Sequence, residues 1–446
     1  MLAAGAFGCD FLKLERNPAC NACSSETSDT SEHFLKYNCP VRVAIDIRDI
    51  SDFGVGTYIR NIVRTMLRID RTNEYFLIGD SARVSEIGEL APNFHAIPLQ
   101  REREPAGYMH FRRLLRQNAC DLLHIPHLVS TPQYLPCPYV VTVHDLLDSM
   151  YRAHSGSAIR RAVHFYGAKR ALRRAARIFA VSNSTKNDIE RIFKIPSSSI
   201  EVVYNAIDDR FRGHASDADR QFIAERYQVS YPFILYAGRI SPHKNVVRII
   251  EAFSALKAEL EKEGRCTDLK LIIIGDEISS HPDLRRTVIR SGVENDVRFL
   301  GFVPIDVLRI FYDTAKVFVF PSLYEGFGLP PLEAMAHGTP VITSNTSSLP
   351  EVVGNAAVLV NPENVFEIMR AIHRVLLDQP LRERLKQRGY EQTARYSWEA
   401  SVEKILKVYR EVAGAGHELS QGRIPENVAD ARAQDGVAHQ ASQHKL

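Results

Sequence analysis

Short apolar runs alternate with amphipathic helical patterns over residues 41–413, and this alternation restricts the chain to few folds. Each run holds three to seven residues, which is typical of strands buried on both faces of a sheet. Parallel strands need a helical crossover between neighbours, so the alternation favours doubly wound parallel sheets. We therefore expect an α/β protein with two Rossmann-like domains, separated by the polar stretch Asp208–Asp219.

The predicted strands form one group on each side of the polar stretch. Those of the first group are Val41–Ile47, Tyr75–Ile78, Asp121–Ile125, Tyr139–Val143, Arg177–Val181 and Glu201–Tyr204. Those of the second group are Phe233–Ala237, Leu269–Ile274, Val297–Leu300, Lys316–Phe320, Val341–Thr343 and Val358–Val360. The groups predict an N-terminal domain over residues 41–208 and a C-terminal domain over residues 220–395. Two such domains place the carboxyl ends of both sheets at a shared cleft, where ligands bind.

The two ends of the chain lack this alternation. Residues 1–40 are rich in Ser, Thr, Asn and Glu, and residues 414–446 carry few large apolar side chains. These compositions predict a disordered leader and a disordered tail. Cys20 and Cys23 could form half of a zinc site, but no second Cys/His pair follows at a usual spacing.

Composition and charge exclude several classes of protein. The net charge is only +3 over 446 residues, which argues against a general nucleic-acid binder. No apolar run reaches the ~18 residues of a membrane span, and residues 1–10 lack the regions of a signal peptide. Cys120, Cys137 and Cys266 are expected to be reduced thiols. The chain is therefore predicted to be cytoplasmic.

The segment from Phe320 to Pro340 carries two carboxylates, Glu325 and Glu333, around a Gly-Phe-Gly turn. Pro330 and Pro331 suit the first turn of a helix, so the segment reads as strand, glycine loop and short helix. The start of a helix offers free backbone N–H groups and a partial positive charge. Carboxylates beside such a helix start can accept hydrogen bonds from hydroxyl groups. The segment therefore favours a ligand with many hydroxyl groups and an anionic part.

A second charged segment follows the strand Phe233–Ala237. Arg239 and Lys244 lie in the sequence Gly238-Arg-Ile-Ser-Pro-His-Lys-Asn245, just before a predicted helix. One guanidinium and one ammonium group match the two negative charges of a pyrophosphate, and arginine can bind phosphate oxygens through two hydrogen bonds. This segment is therefore predicted to bind phosphates.

These two segments resemble the donor-site motifs of retaining glycosyltransferases of family 4, which have the GT-B fold. The resemblance rests on Glu-Gly-Phe-Gly-Leu-Pro…Glu-Ala-Met-Ala-His-Gly-Thr-Pro-Val and on Gly-Arg-x-x-x-x-Lys-Asn. It extends over about residues 41–413, has its strongest motifs in the second half, and includes an overall resemblance to bacterial polysaccharide mannosyl- and rhamnosyltransferases. In this family the segments Ile274–Asp276 and Val297–Pro304 would flank the nucleotide base. A last amphipathic helix, over residues 396–413, would cross back onto the first domain.

The resemblance implies transfer of a hexose from a nucleotide diphosphate sugar to a glycan or lipid-linked acceptor hydroxyl, with the α configuration kept. GDP-mannose is the first choice of donor. Arg239 and Lys244 would stabilise the departing diphosphate in place of a metal, so no metal or other cofactor is expected. Glu333 would accept from the ribose hydroxyls and Glu325 from the sugar hydroxyls. The implied catalytic residues are His144, Arg239, Lys244 and Glu325, and the implied donor-binding residues are Gly56, Gly238, Arg239, Lys244, Glu325, Gly326, Phe327, Gly328, Leu329 and Glu333.

The first half supplies two of these residues. Gly56 follows Gly54 after a strand, but Ile59 replaces the third glycine of a dinucleotide-binding motif, so NAD binding is not predicted. In the family a glycine here lies against donor phosphates and acceptor; the alternative is a tight strand–helix turn. His144 follows a strand and would emerge at the cleft, near the transferred sugar.

Two neighbouring histidines have a different interpretation. His124 and His127 flank Pro126 and are expected to shape a loop. A zinc site built from these two and His144 would need a carboxylate or cysteine partner that the sequence does not place. The acidic pair Asp217 and Asp219 is expected on solvated linker surface, not at a metal.

Two alternatives stay open at this point: a non-catalytic nucleotide-sugar-binding protein of the same fold, and a sugar-nucleotide epimerase. A further prediction concerns location. Residues 41–200 hold 23 Lys and Arg against 15 Asp and Glu, and seven of these cations lie between Ala158 and Arg177. This stretch is either a solvated helix face or a contact with the anionic inner face of the plasma membrane.

Overall fold

The computed structural model describes residues 40–420 except 53, 100–104, 129–130, 132–133, 148–157, 212 and 276–277. The predicted leader, with Cys20 and Cys23, and the tail beyond residue 420 lie outside this part. The described chain holds two fully parallel sheets flanked by helices, which confirms the predicted α/β class. Among the described helices, none combines the length and apolarity of a membrane span.

The first sheet has seven strands in the order β3-β2-β1-β4-β5-β6-β7. Its strands are β1 (Arg42–Asp46), β2 (Glu74–Gly79), β3 (Phe94–Pro98), β4 (Leu122–Ile125), β5 (Tyr139–Val143), β6 (Arg177–Ala180) and β7 (Ile200–Val202). The helices along it are α1 (Val55–Ile69), α2 (Pro105–Gln117), α3 (Ala158–Arg174) and α4 (Asn183–Phe193). Strands β1, β4 and β5 lie at its centre and are almost wholly buried, which explains their apolar sequences.

The second sheet has six strands in the order β10-β9-β8-β11-β12-β13. Its strands are β8 (Phe233–Ala237), β9 (Lys270–Ile274), β10 (Val297–Gly301), β11 (Val317–Phe320), β12 (Val341–Ser344) and β13 (Ala357–Val360). Its helices are α5 (Asp217–Arg226), α6 (Val246–Lys262), α7 (Pro282–Arg290), α8 (Ile305–Thr314), α9 (Leu329–Ala336), α10 (Leu349–Val353), α11 (Val365–Leu377) and α12 (Gln379–Thr393). Strands β8 and β11 pair with each other, so the two charged segments that follow them emerge side by side.

The sequence-based prediction missed one strand of the first sheet. β3 lies at the sheet edge, pairs with β2 alone, and has only Phe94 fully buried. It ends at Pro98, which cannot donate a ladder hydrogen bond and is tolerated only at such an edge. An edge strand needs no continuous apolar run, so the pattern that indicates buried strands does not predict β3.

A long final helix, α13 (Trp398–Ser420), packs on the first sheet rather than the second. Trp398, Val402, Ile405 and Tyr409 are buried in the same core as the residues of β1 and α1. The helix runs past residue 413, where the disordered tail was expected to begin. The helix includes Gly414 and Gly416, since a glycine costs only about 1 kcal/mol in a helix and does not prevent one.

The polar stretch 208–219 begins with a buried residue, whereas Asp217 is exposed and Asp219 partly exposed, as expected for solvated surface. Asp208 is buried and accepts hydrogen bonds from Asn61 and Arg210, and these bonds lower the pKa of its carboxyl to about 2 against the opposing effect of burial. Asp217 and Asp219 lie in the first turn of α5, where Asp219 and Ser216 form a reciprocal capping box. The Asp-x-Asp pair therefore has a structural role in starting this helix.

Candidate active site

The segment that is predicted to bind phosphates begins where β8 ends. Gly238 has φ +149°, in the region that favours glycine, and its N–H donates to the carbonyl of Ile274 at 3.0 Å. The chain then makes a short 3₁₀ turn over Pro242–Lys244 and enters α6 through Asn245. The side chain of Asn245 donates to the carbonyls of Pro321 and Pro362, at 3.0 and 2.7 Å, and so fixes this turn to the ends of β11 and β13.

Lys244 and Glu325, from the two charged segments, form a direct ion pair. The Nζ atom of Lys244 lies 2.6 Å from one carboxylate oxygen of Glu325 and 2.8 Å from the other. Both side chains are largely buried, with 17% and 11% exposed, and the ammonium lies 5.2 Å from the ring centre of Phe320. Arg239 is exposed and has no hydrogen bond or ion pair from its side chain within the described residues. The site thus combines a paired cation with an open one.

The loop that carries Glu325 is fixed by hydroxyl groups and by close packing. Ser347 donates to, and accepts from, the backbone of Glu325, and Ser348 donates to the carbonyls of Glu325 and Phe327. Gly328 has φ +114° and precedes α9, and a Cβ there would lie 2.7 Å from the side chain of Leu349. The N–H groups of Phe327, Gly328 and Leu329 find no acceptor in the described residues and form a donor-rich edge at this helix start.

Glu333 lies on the second turn of α9 and is half-buried. Burial raises the pKa of its carboxyl to about 7, while a 2.9 Å hydrogen bond from the hydroxyl of Tyr312 acts in the opposite direction. Tyr312 was not anticipated from the sequence. It is buried on α8 and fixes the orientation of the Glu333 carboxylate.

His144 and the Glu325 loop meet across the two domains. A Cβ on Gly326 would lie only 1.6 Å from the carbonyl oxygen of His144, so only glycine permits this contact. The Nε2 atom of His144 donates to the carbonyl of Pro126 at 2.8 Å, which leaves Nδ1 as a hydrogen-bond acceptor. Burial lowers the pKa of this imidazole to about 4, so it is neutral at pH 7. A neutral acceptor suits contact with a hydroxyl group.

The glycines of the first domain have separate roles. Gly56 is buried in the first turn of α1, and a Cβ there would lie 2.1 Å from the carbonyl oxygen of Ile50. Close packing therefore accounts for Gly56, as in the tight-turn interpretation. Gly54, with φ +76° and nothing within 4 Å of an added Cβ, is the glycine whose backbone is exposed at this turn. The ring of Tyr58, in the same helix, contacts that of His144 at 4.9 Å.

The other two histidines hold structure together rather than a shared metal. Both ring nitrogens of His124 are used: Nδ1 bonds the hydroxyl of Tyr409 at 2.6 Å, and Nε2 bonds that of Thr142 at 2.8 Å. His127 pairs with Asp49 at 3.0 Å, which fixes the loop after β4. His124, His127 and His144 are not a group whose ligand atoms converge among the described residues.

The sequence-based prediction also missed a group of contacts between the domains at the start of α4. Glu351, on α10, accepts hydrogen bonds from the backbone N–H groups of Asn183 and Ser184, from the Asn183 amide and from the hydroxyl of Tyr204. Ser182 and Thr185 donate to the carbonyl of Gly326, at 2.7 and 3.1 Å. Their only signal is the Ser182-Asn-Ser-Thr185 run, which is typical of a helix start. The first domain thus holds the Glu325 loop in place.

Comparison with known proteins identifies the two halves. Residues 54–211 match the model of "Glycosyltransferase Family 4", and residues 217–392 match that of "Glycosyl transferases group 1". O-antigen chain mannosyltransferase B of Escherichia coli is 34% identical over 380 residues, covering 80% of this chain and 96% of that protein. The serotype-specific mannosyltransferase WbdA of E. coli is 31% identical over 317 residues, which cover 69% of this chain but only 38% of WbdA.

Solved structures agree on the fold. Sucrose-phosphate synthase of Thermosynechococcus elongatus superimposes with a TM-score of 0.68 at 21% identity, covering 84% of this chain and all of that one. HepE of Anabaena in complex with UDP-glucose gives a TM-score of 0.66 at 17% identity, covering 82% and 98%. With two parallel-sheet domains, both family domains in order and mannosyltransferases among its relatives, this chain is a glycosyltransferase of the GT-B fold and belongs to glycosyltransferase family 4.

Proposed function

We propose that this enzyme transfers mannose from GDP-mannose to a hydroxyl group of a glycan or lipid-linked acceptor, with retention of the α configuration. The observation that carries the proposal is the ion pair of Lys244 with Glu325 beside the unpaired Arg239. Two cations and a helix start form a site for a diphosphate, and a carboxylate next to them is a site for sugar hydroxyls. The names of the relatives that act in O-antigen synthesis support mannose.

In this proposal the sugar–phosphate bond breaks as the acceptor oxygen bonds to the sugar carbon on the same face. The leaving phosphate oxygen takes the acceptor proton, so no protein nucleophile is required. Arg239 and Lys244 stabilise the negative charge that builds up on the diphosphate, a role that a metal would otherwise fill. Glu325 accepts from sugar hydroxyls, and Glu333 from the ribose. The Nδ1 atom of His144 accepts a hydrogen bond from a substrate hydroxyl group.

The proposal includes a location at the cytoplasmic face of a membrane. On α3, Phe165 and Leu172 pack inwards, whereas Ile159, Val163 and Tyr166 are 78%, 65% and 67% exposed. An outward apolar stripe on a basic helix is the pattern of a helix that lies in a membrane interface. The alternative, a solvated helix whose apolar side chains face the core, explains Phe165 and Leu172. It does not explain the exposed Ile159, Val163 and Tyr166. Such a contact suits a lipid-linked acceptor.

The test combines donor and product analysis. Purified protein is incubated with GDP-mannose or UDP-glucose and a panel of mannose-terminated glycans, free or lipid-linked, and released nucleotide is measured. We expect release with GDP-mannose only when an acceptor is present, and an α linkage by NMR of the product. A β linkage would contradict retention, and turnover with UDP-glucose alone would contradict the donor. Activity that is lost with a chelator and restored by magnesium or manganese would contradict metal independence.

A further inference from the structure

Three potential metal ligands converge behind the donor site. His214 lies in the segment that joins the two domains, Asp313 near the end of α8, and His337 at the end of α9. Their ligand atoms all lie within 4.8 Å of one another, and none of these three residues belongs to the donor site described above. The Nδ1 atom of His214 is 2.7 Å from Oδ1 of Asp313, and Nδ1 of His337 is 3.9 Å from the same oxygen.

His337 is the second, independent indication. Its side chain is fully buried, yet neither ring nitrogen has a hydrogen-bond partner within the described residues. Its ring lies among those of Phe211, Tyr312 and His214, whose centres are 6.3, 6.1 and 6.4 Å away. Leaving a buried polar group without a partner is unfavourable, so a metal ion that binds a ring nitrogen would account for an imidazole in this position.

We propose that His214, Asp313 and His337 bind a divalent transition metal of the zinc class. Two imidazole nitrogens and one carboxylate oxygen are a common ligand set for zinc, with a fourth position for water. Tetrahedral zinc holds its ligand atoms about 3.3 Å apart. The 2.7 Å contact would therefore open and the 3.9 Å contact would close, each by about half an ångström.

The surroundings permit these adjustments. The side chain of His214 is 58% exposed, so it can turn and leave the fourth position open to solvent. The other oxygen of Asp313 accepts from Arg220 at 3.0 Å, which orients the carboxylate and leaves Oδ1 for the metal.

A metal at this position would connect three parts of the chain: the interdomain segment, α8 and α9. Tyr312 precedes Asp313 in sequence, stacks on His337 with ring centres 6.1 Å apart, and donates to Glu333. The metal would thus stiffen the layer that supports Glu333 without touching the substrate. Its role is structural, and it is separate from the metal independence proposed for the reaction.

The test measures zinc binding directly in the full chain. After treatment with a chelator and its removal, zinc is titrated by calorimetry into wild type, His214→Ala and His337→Phe, and cobalt(II) is added as a visible-light probe of tetrahedral sites. We expect the two variants to bind one zinc ion fewer, or the same ion on the order of a hundredfold more weakly, and to lose its thermal stabilisation. All cysteines are retained, so any metal bound by thiolates is common to all samples.

Matched variants complete the design. His373→Ala removes a histidine that pairs with Glu263 at 3.0 Å without a third ligand, and should leave zinc binding unchanged. His337→Phe keeps a ring in the buried position, so the metal-free variant should unfold at no lower temperature than metal-free wild type. If that variant fails to fold, the exposed His214→Ala still decides. Zinc stoichiometry and affinity equal to wild type in His214→Ala would overturn the proposal.

Discussion

Lys244 and Glu325, 81 residues apart in sequence, neutralise each other through contacts of 2.6 and 2.8 Å. Each of them is also assigned to the substrate: the ammonium to the diphosphate and the carboxylate to the sugar. A donor that takes both roles must therefore rearrange this ion pair as it binds. The open cation, Arg239, is free to meet the diphosphate first.

The first prediction concerns the two cations. Arg239→Ala and Lys244→Ala should each lower turnover about ten- to a hundredfold, because a charge-assisted hydrogen bond contributes roughly 1.5–3 kcal/mol. The thermal unfolding temperature should stay close to wild type for Arg239→Ala. Lys262→Ala, at the exposed far end of α6, is the matched control and should keep full activity. Near wild-type rates in both cation variants would sink the phosphate assignment.

The second prediction follows from the ion pair itself. Glu325→Gln should strengthen binding of the bare nucleoside diphosphate about three- to tenfold, or roughly 0.7–1.4 kcal/mol, because Lys244 loses its competitor. The same variant should lower sugar transfer. Calorimetry with GDP and a steady-state assay measure the two effects. Glu383→Gln, an exposed change of equal charge on α12, should alter neither. Weaker GDP binding in Glu325→Gln would show that the roles are assigned wrongly.

The third prediction is a pH dependence set by Glu333. Because its pKa is raised to about 7, the folded protein carries a protonated carboxyl below that pH. If only the ionised form accepts from the ribose, GDP affinity should rise about tenfold between pH 6 and pH 8. The raised pKa also means that its contribution to stability is lost as pH rises from the ordinary carboxyl value towards 7.

Glu333→Gln serves as the control for this dependence, because the phosphates of GDP titrate in both proteins. The variant should bind GDP more weakly at pH 8 and show a flatter profile, and calorimetry at several pH values measures both. Identical profiles in wild type and Glu333→Gln would separate the carboxyl from nucleotide binding.

The fourth prediction concerns the contact of Glu351 with the start of α4. This carboxylate accepts four hydrogen bonds from the first domain, so Glu351→Ala should shift the enzyme towards an open arrangement of its domains. We expect a larger radius of gyration by small-angle X-ray scattering and a turnover about tenfold lower, since each lost bond to a charged group contributes roughly 1.5–3 kcal/mol. Glu383→Ala should change neither quantity. An unchanged radius and rate in Glu351→Ala would mean that this contact does not hold the domains together.

The fifth prediction tests the membrane contact of α3. Arg170, Arg173 and Arg174 are exposed, and replacing all three by Glu should abolish salt-sensitive binding to anionic vesicles while GDP binding stays intact. Val163→Ser with Tyr166→Ser should weaken vesicle binding through the apolar stripe alone. Vesicle sedimentation measures both.

The matched control for this prediction reverses three other exposed arginines, Arg285, Arg286 and Arg290 on α7, with the same change in net charge. That variant should sediment with anionic vesicles as wild type does. Equal vesicle binding by both triple reversals, or binding to neutral vesicles, would leave α3 as ordinary surface.

The sequence predicted whatever depends on local pattern. The strands with continuous apolar runs all occur, with ends within two residues of the prediction, because burial on both faces requires such runs. The prediction that two segments form a donor site rests on a similar reason, because glycines, prolines and charges have position-specific meaning beside a helix start. β3 escaped because an edge strand needs only alternate apolar residues.

Contacts between residues that are distant in sequence could not be predicted in this way. Glu351 and Asn183 are 168 residues apart, and neither lies in a periodic pattern that would predict its partner. His214, Asp313 and His337 converge only because the interdomain segment folds back beside α8 and α9. Such pairs depend on the relative placement of whole elements, and sequence from a single chain carries no signal for it.

Helix α13 has a consequence for how this protein is made. The hydroxyl of Tyr409 bonds buried His124 from 285 residues away, and Trp398 and Ile405 complete the core around β1 and α1. The ribosome therefore finishes the first sheet long before it supplies the helix that covers it. Because synthesis adds about 5–20 residues per second, the apolar surface of the first domain stays exposed for many seconds while the second domain is made. A chain truncated at residue 395 should bind a hydrophobic dye and a holdase chaperone, whereas adding α13 as a separate peptide should reduce both.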